Sequence, residues 1–293
     1  MIYLLFIPWI LLAVLANVMY KINKKPTLHT LFIVDFMGLI LTLVLFGFSL
    51  FFFDNPFENI TWRIIGLIFA RTVIGVGAFA FFLLALKRLP LSIFKPLTLI
   101  RMFPLLLLGM VFFGDGFTIV ALVLAIVIFC AGVALSIVSN QKGERNKNRK
   151  AYLIGLLWLL AYIASSVLIM PLVRYIAGYD INAFTFVLIF ILMSVVFQFF
   201  ILLAVKQSPF KAIKESWNDK ILWGAAVGDT FWMAFMIPLS FAMNLGLIDA
   251  IMVSATALTV LVGAVVLKEK APWHAYVLIA IILAAAVAMP LLS

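Results

Sequence analysis

Tyr3-Leu4-Leu5, Trp9 and Leu11, near the start of the chain, recur as Tyr152-Leu153-Ile154, Trp158 and Leu160. The spacing between the two strings is constant and close to half of the 293 residues. Both strings open a long apolar segment. A unit stated twice fixes the architecture before any side-chain chemistry is considered. When the repeated unit is apolar throughout, it is the mark of a secondary transporter, whose substrate site lies between the repeats.

The composition sets the solvent. The chain is 67% hydrophobic and 11% charged, with a mean hydropathy of +1.28. That leaves too little polar surface for a water-soluble domain of this length, so the bilayer must be the solvent. The single cysteine, Cys130, rules out an internal disulfide and falls in an apolar run, where it is expected to be a small buried residue. The net charge of +10 would point to nucleic acid in a soluble protein. Here the cations crowd into short loops, so they report topology, and no nucleic acid is expected. The first apolar segment lacks a basic leader and a small-x-small cleavage site, so it is expected to be a structural helix.

A spanning helix needs about 20 apolar residues. Ten such segments can be drawn, over 2–20, 28–53, 62–86, 91–112, 117–138, 151–175, 182–205, 221–244, 248–267 and 272–292. Lys21, Lys24, Lys25, Lys87, Arg88, Lys95, the cations from Lys142 to Lys150, Lys206, Lys211, Lys214, Lys220, Lys268 and Lys270 all fall on one side of this arrangement. Arg63 and Arg174 flank the other side. The basic side is expected to be cytoplasmic, with both termini outside. Residues 1–138 form the first five-helix unit, 139–150 a basic cytoplasmic link and 151–293 the second unit. An odd number of helices forces the second copy to insert upside down, giving an all-α membrane protein with two inverted five-helix repeats. Residues 207–220 carry Phe210, Ile213 and Trp217 at helical spacing between lysines. They fit either a short interfacial helix or a solvated loop.

The stretch Leu99-Ile100-Arg101-Met102-Phe103-Pro104, then Gly109, Gly114-Asp115 and Ala131-Gly132, resembles the fourth and fifth helices of an EamA repeat. Leu258 to Gly263, Lys268-Glu269 and the helix after Pro272 repeat the pattern, and Trp9 and Trp158 match the tryptophan usual in the first helix. The chain is thus similar to ten-helix members of the drug/metabolite transporter superfamily over nearly its whole length. It departs from them in having Asp115 where Glu is usual, in lacking the second internal proline, and in carrying Arg101. The resemblance implies transport of a small metabolite, but many substrates share this fold.

Four ionisable residues fall well inside the drawn spans: Asp35, Arg71, Arg101 and Asp229. Each costs about 2.5–3.5 kcal/mol on insertion scales, so such groups normally face a cavity or a partner. Arg71 in the third helix and Asp229 in the eighth stand at nearly matching depths of the two units. Together they suit the two ends of a zwitterion, with Arg71 forking onto a carboxylate and Asp229 holding an ammonium or a coupling proton. The bland alternative is a permanent Arg–Asp staple. Asp35 is a coupling or gating candidate, or an interfacial charge paired with a lysine. Arg101 is a further binding candidate, and Arg71 with Arg101 leaves a carboxylate or phosphorylated cargo open. Trp232 follows Asp229 by one helical turn, and Trp9 and Trp158 lie deep enough to join a site. Gly75 and Gly77 offer a thin helix face, better suited to packing than to gating. Pro104, Pro171 and Pro238 can each bend a helix. Asn17, Ser165, Ser166, Gln198, Thr230 and Asn244 could line a path or bond between helices.

The two histidines, His29 and His274, sit near helix ends with no metal-spaced cluster, and there is no P-loop. No cofactor, metal or enzymatic activity is expected. The reading is a secondary active transporter in a bacterial-type cytoplasmic membrane, working as a monomer by alternating access. Its cargo is expected to be a small amino acid, amine or related metabolite, moved by export, with a coupling proton or exchange as the drive. The alternatives are a carrier for carboxylates or phosphorylated metabolites, a lipid flippase, and a non-transporting accessory subunit.

Overall fold

A computed structural model describes residues 6–51, 55–116, 118–140, 149–242, 245–267 and 273–292. The described residues form helices and turns and contain no strand. In chain order the helices are α1 (Phe6–Ile22), α2 (Thr27–Ser49), α3 (Trp62–Leu86), α4 (Leu91–Thr98), α5 (Met102–Phe113), α6 (Ile119–Asn140), α7 (Arg149–Ala177), α8 (Ala183–Ala204), α9 (Pro209–Ser216), α10 (Lys220–Ala242), α11 (Leu245–Val266) and α12 (Trp273–Leu292). Every apolar segment drawn from the sequence is helical, with α4 and α5 sharing one segment. Tyr3, Leu4, Leu5 and Asn244 lie outside the described residues.

Five of these segments are long and apolar enough to cross a membrane: Thr27–Ser49, Trp62–Leu86, Leu91–Phe113, Lys150–Ala177 and Ala183–Ala204. The chain is therefore an integral, multi-pass membrane protein. Its outer surface agrees. Leu153, Leu157 and Leu160 make an exposed stripe down α7 at helical spacing. Leu11 and Leu160, matched in the sequence, are each 57% exposed. Such a surface would drive aggregation in water but is the solvated face in lipid.

The helix ends follow local chemistry. The side chains of Thr61, Asn182 and Ser208 each accept a hydrogen bond from a first-turn N–H of α3, α8 and α9, satisfying donors that the helix leaves orphaned. Asp219 does the same for α10, accepting from Ile221 at 3.0 Å and Leu222 at 3.4 Å. Gly114 stops α5 at φ 65°, a left-handed conformation that glycine adopts without strain. The segment from 91 to 113 breaks at Leu99–Arg101, a single 3-10 turn. The break sits one turn before Pro104, because that proline lacks an N–H for the carbonyl of Ile100 and its ring crowds the same oxygen. Pro171 and Pro238 lie in unbroken helices. The stretch after α8 resolves to the helical alternative: α9 buries Ala212 and Ser216 and exposes Phe210.

The helices pack in matched pairs. α3 lies against α7, and α1 against α10. α2 meets α8, and α6 meets α12. α4 rests on α6, and α11 on α12. At the α1–α10 crossing, a Cβ on Gly228 would lie 2.7 Å from the Leu12 carbonyl oxygen and 2.8 Å from Ala16 Cβ. A glycine is the condition for that approach. Gly228→Val is expected to cost about 1–3 kcal/mol by overpacking, read as a lowered thermal midpoint of the purified protein. An unchanged midpoint would refute the close crossing.

Two apolar cores result. One joins α1–α4 with α7–α10 through residues such as Leu31, Phe94, Phe186 and Leu222. The other joins the 3-10 turn, α5 and α6 with α11 and α12 through Leu99, Met102, Ile128, Val260 and Ile279.

Candidate functional site

Within the bundle lies a cavity of about 280 Å³. α1, α2, α3, α4, α7, α8, α10 and α11 all contribute to its wall, as does the 3-10 turn. Both halves of the chain therefore build it. Five charged side chains line it: Asp35, Arg71, Lys95, Arg101 and Asp229.

Arg71 is the tenth residue of α3 and Asp229 the tenth of α10. At about 1.5 Å per residue, each stands about 14 Å from its helix start, near the middle of a hydrocarbon core about 30 Å thick. Arg71 is only 8% exposed. Its Cζ lies 3.5 Å from the centroid of the Phe190 ring, a cation–π contact across to α8. Its Nε and Nη1 have no hydrogen-bond partner. Gly75 lies beneath the guanidinium, one turn along, whereas Gly77 faces open space.

Asp229 does not pair with Arg71. It accepts a hydrogen bond from the Tyr20 hydroxyl on α1. The Tyr20 ring is held edge-on by Phe79 at 5.3 Å and Phe82 at 5.8 Å. Asp35 pairs with no lysine. Its Oδ2 accepts from Ser194 Oγ and Gln198 Nε2, each at 2.5 Å. These donors stand one turn apart on α8 and are joined to each other at 2.9 Å. Both carboxylates are thus satisfied by neutral donors.

Lys95 is the residue that loop counting misplaces. It lies inside α4 and lines the cavity, with Nζ 5.3 Å from the Phe82 centroid and 5.7 Å from that of Phe94. Arg101 Nη1 donates to the Tyr162 hydroxyl at 3.3 Å. Lys95, Thr98 and Arg101 recur every three residues and all reach the cavity. That period was the available signal, masked by counting Lys95 with the adjacent loop. Tyr20, Tyr162, Phe190 and Ser194 carried no sequence signal, because single aromatic or hydroxyl residues abound in apolar helices.

The tryptophans divide. Trp232 lines the cavity, and Trp9 packs behind it with ring centroids 6.4 Å apart. Trp158 does not line it. Its ring stacks on Phe81 at 5.5 Å, and its buried Nε1 lacks a partner. Asn17 and Ser166 also reach the wall. No group of three or more metal-ligating side chains occurs among the described residues.

Polar clusters close both ends of the bundle. At the lysine-rich end, Lys21 Nζ donates to the carbonyls of Leu86 at 2.8 Å and Leu89 at 2.7 Å, capping α3. Lys25 bridges to Asp219 at 3.3 Å and to Ser216 Oγ at 2.7 Å. Burial pushes the neighbouring Lys87 ammonium below the ordinary lysine range, and the charge of Arg88 adds to this. At the opposite end, Arg174 grips Asp115 with Nη2–Oδ1 at 2.7 Å and Nη1–Oδ2 at 3.2 Å. Asn59 Nδ2 there donates to the Asp180 carbonyl at 3.3 Å.

No protein-family model matches this chain, and no curated protein matches it.

Proposed function

We propose that the chain is a secondary active transporter that carries a small charged metabolite, an amino acid or a related compound, across the cytoplasmic membrane. The observation that carries this reading is Arg71: a guanidinium held near mid-depth, 8% exposed, with two nitrogens lacking any partner, beside a cavity built by both halves. An unpaired charge at that depth is costly and is kept where a solute or ion must be bound. Asp229 supplies the opposite sign at the matching position of the second half. It is placed to receive an ammonium or a coupling proton.

The same reading makes the two halves inverted repeats of five spans each, as in ten-helix EamA-type members of the drug/metabolite transporter superfamily. The matched pairs support it. Exchanging the halves turns the α3–α7 contact into α10–α1 and leaves α2–α8 and α6–α12 unchanged. That is the behaviour of a pseudo-two-fold axis. Alternating access then exposes the cavity to each side in turn. In a Cys130→Ser background, cysteines replacing Lys87 and Lys211 should react with an impermeant maleimide only from inside. Cysteines replacing Asn59 and Asp180 should react only from outside. Labelling of both sets from one side would overturn the inverted arrangement.

Transport is tested in proteoliposomes preloaded with an unlabelled amino-acid mixture and supplied with the labelled mixture. The intact protein should exchange label above empty vesicles. Asp229→Asn removes a charged contact worth about 1.5–3 kcal/mol, so exchange should fall about 10- to 100-fold. Equal exchange by the variant would remove Asp229 from the site.

A further inference from the structure

Among the described residues, Arg71, Lys95 and Arg101 line the cavity together with two carboxylates, Asp35 and Asp229. Both carboxylates are already engaged by hydroxyl or amide donors, Tyr20 on Asp229 and Ser194 with Gln198 on Asp35. Arg71 has no carboxylate within ion-pair distance, and its Nε and Nη1 donate to nothing. The Lys95 ammonium lies over the faces of Phe82 and Phe94. The unmet demand in this cavity is therefore for hydrogen-bond acceptors bearing negative charge. A ring face attracts a cation but gives its N–H groups no lone-pair acceptor, which a carboxylate supplies.

We infer that the solute bound in this cavity is an organic anion, anchored by a carboxylate on the Arg71 guanidinium, with Lys95 offering a second station nearer the lysine-rich end. The inference rests on the transporter reading only in treating that solute as cargo; the binding itself stands or falls separately. A guanidinium suits a carboxylate because its planar N–H groups match the two oxygens and it keeps its charge. Phe190 holds the group in place, with Cζ 3.5 Å from its ring centroid. Lys95 lies one turn from Thr98 and two from Arg101 on the same face of the broken helix. The aspartates restrict the cargo. They repel a second carboxylate that strays toward α2 or α10 and leave an amino group tolerated but not required.

The test is a thermal-shift series on the purified full chain in detergent. Lactate, succinate, glutarate and glutamate are compared with lactamide, succinamide and glutaramide, and with ethanolamine and putrescine, each at about 10 mM, a concentration that would saturate a site of millimolar affinity. Sodium chloride and sulfate at matched ionic strength set the baseline. At least one carboxylate should raise the midpoint by about 3 °C or more while its amide does not. The shift should vanish in Arg71→Gln, return in part in Arg71→Lys and shrink in Lys95→Gln. Any of four results would overturn the inference: stabilisation by the amines or amides in place of the acids, an equal shift with sulfate, a shift that survives Arg71→Gln, or no shift with any carboxylate. Should Arg71→Gln fail to fold, Lys95→Gln and Phe190→Leu carry the test, since both must weaken the carboxylate shift. A carboxylate that binds yet is never exchanged by proteoliposomes would sink the transport proposal and leave this one standing.

Discussion

Arg71→Met is expected to raise the thermal midpoint of the ligand-free protein and to abolish exchange in proteoliposomes. The two effects share one cause. The guanidinium is 8% exposed and two of its nitrogens lack partners, so the empty protein bears the desolvation of a charge without the compensation of an anion. Replacing buried charged groups by apolar side chains of similar size stabilises other proteins by about 1–4 kcal/mol. Methionine has the right length, and its sulfur keeps a favourable contact with the Phe190 ring. The gain should appear as a rise of several degrees in an unfolding scan. Exchange should fall to the level of empty vesicles, because the anchor is gone. A structural staple behaves in the opposite way. If Arg71 served only to tie α3 to α8 through Phe190, Arg71→Met would lower the midpoint and leave exchange in the surviving protein intact. Stability set aside at a functional site in this manner is a common trade.

Asp115→Ala should be the most damaging single change outside the cavity. Asp115 is 9% exposed, and both of its oxygens are held by Arg174, at 2.7 Å and 3.2 Å. Its own N–H donates to the Gly109 carbonyl at 3.1 Å, closing the end of α5. One carboxylate thus fixes the α5–α6 turn and ties it to the last turn of α7. Removing one partner of a buried pair costs about 3–5 kcal/mol, far more than the worth of an exposed ion pair. Arg174→Met should cost less than Asp115→Ala, and the double variant less than the sum of the two. A double-mutant cycle on thermal or denaturant midpoints measures the coupling. A coupling below about 0.5 kcal/mol would place the pair with solvent-screened surface bridges.

Much of this architecture is legible in the sequence, for a physical reason. A bilayer demands long apolar helices, so hydropathy alone places every long helix to within a few residues of its described bounds. The Trp9 and Trp158 strings lead the sequence reading to expect two halves. Arg71 and Asp229 stand out because a charge in an apolar run has no solvent to meet. What stays illegible is set by contacts between distant helices. The sequence pairs Arg71 with Asp229, but the fold gives Asp229 to Tyr20, a residue with no distinguishing mark in an aromatic-rich helix. Lys95 was hidden by its neighbours Lys87 and Arg88, which belong to a loop while it does not. Trp158 matches Trp9 in register yet turns to Phe81, because equal positions in two halves need not face equal surroundings. The break before Pro104 was legible only in part: a proline tells that a helix bends, while the bend itself falls a turn earlier, at the carbonyl the proline cannot serve.

The two apolar cores do not follow the two halves of the chain. One takes α1–α4 from the first half and α7–α10 from the second. The other takes α5 and α6 from the first and α11 and α12 from the second. A protease that cuts between Asn140 and Arg149 would therefore free neither half, since each would carry away part of both interiors and leave the rest exposed. Each apolar interior is a mosaic of the two halves, so chain order and packing partition this molecule along different lines. A half encoded alone would be unable to bury its own apolar faces until it met the other, and joining both in one chain guarantees that meeting at every round of synthesis.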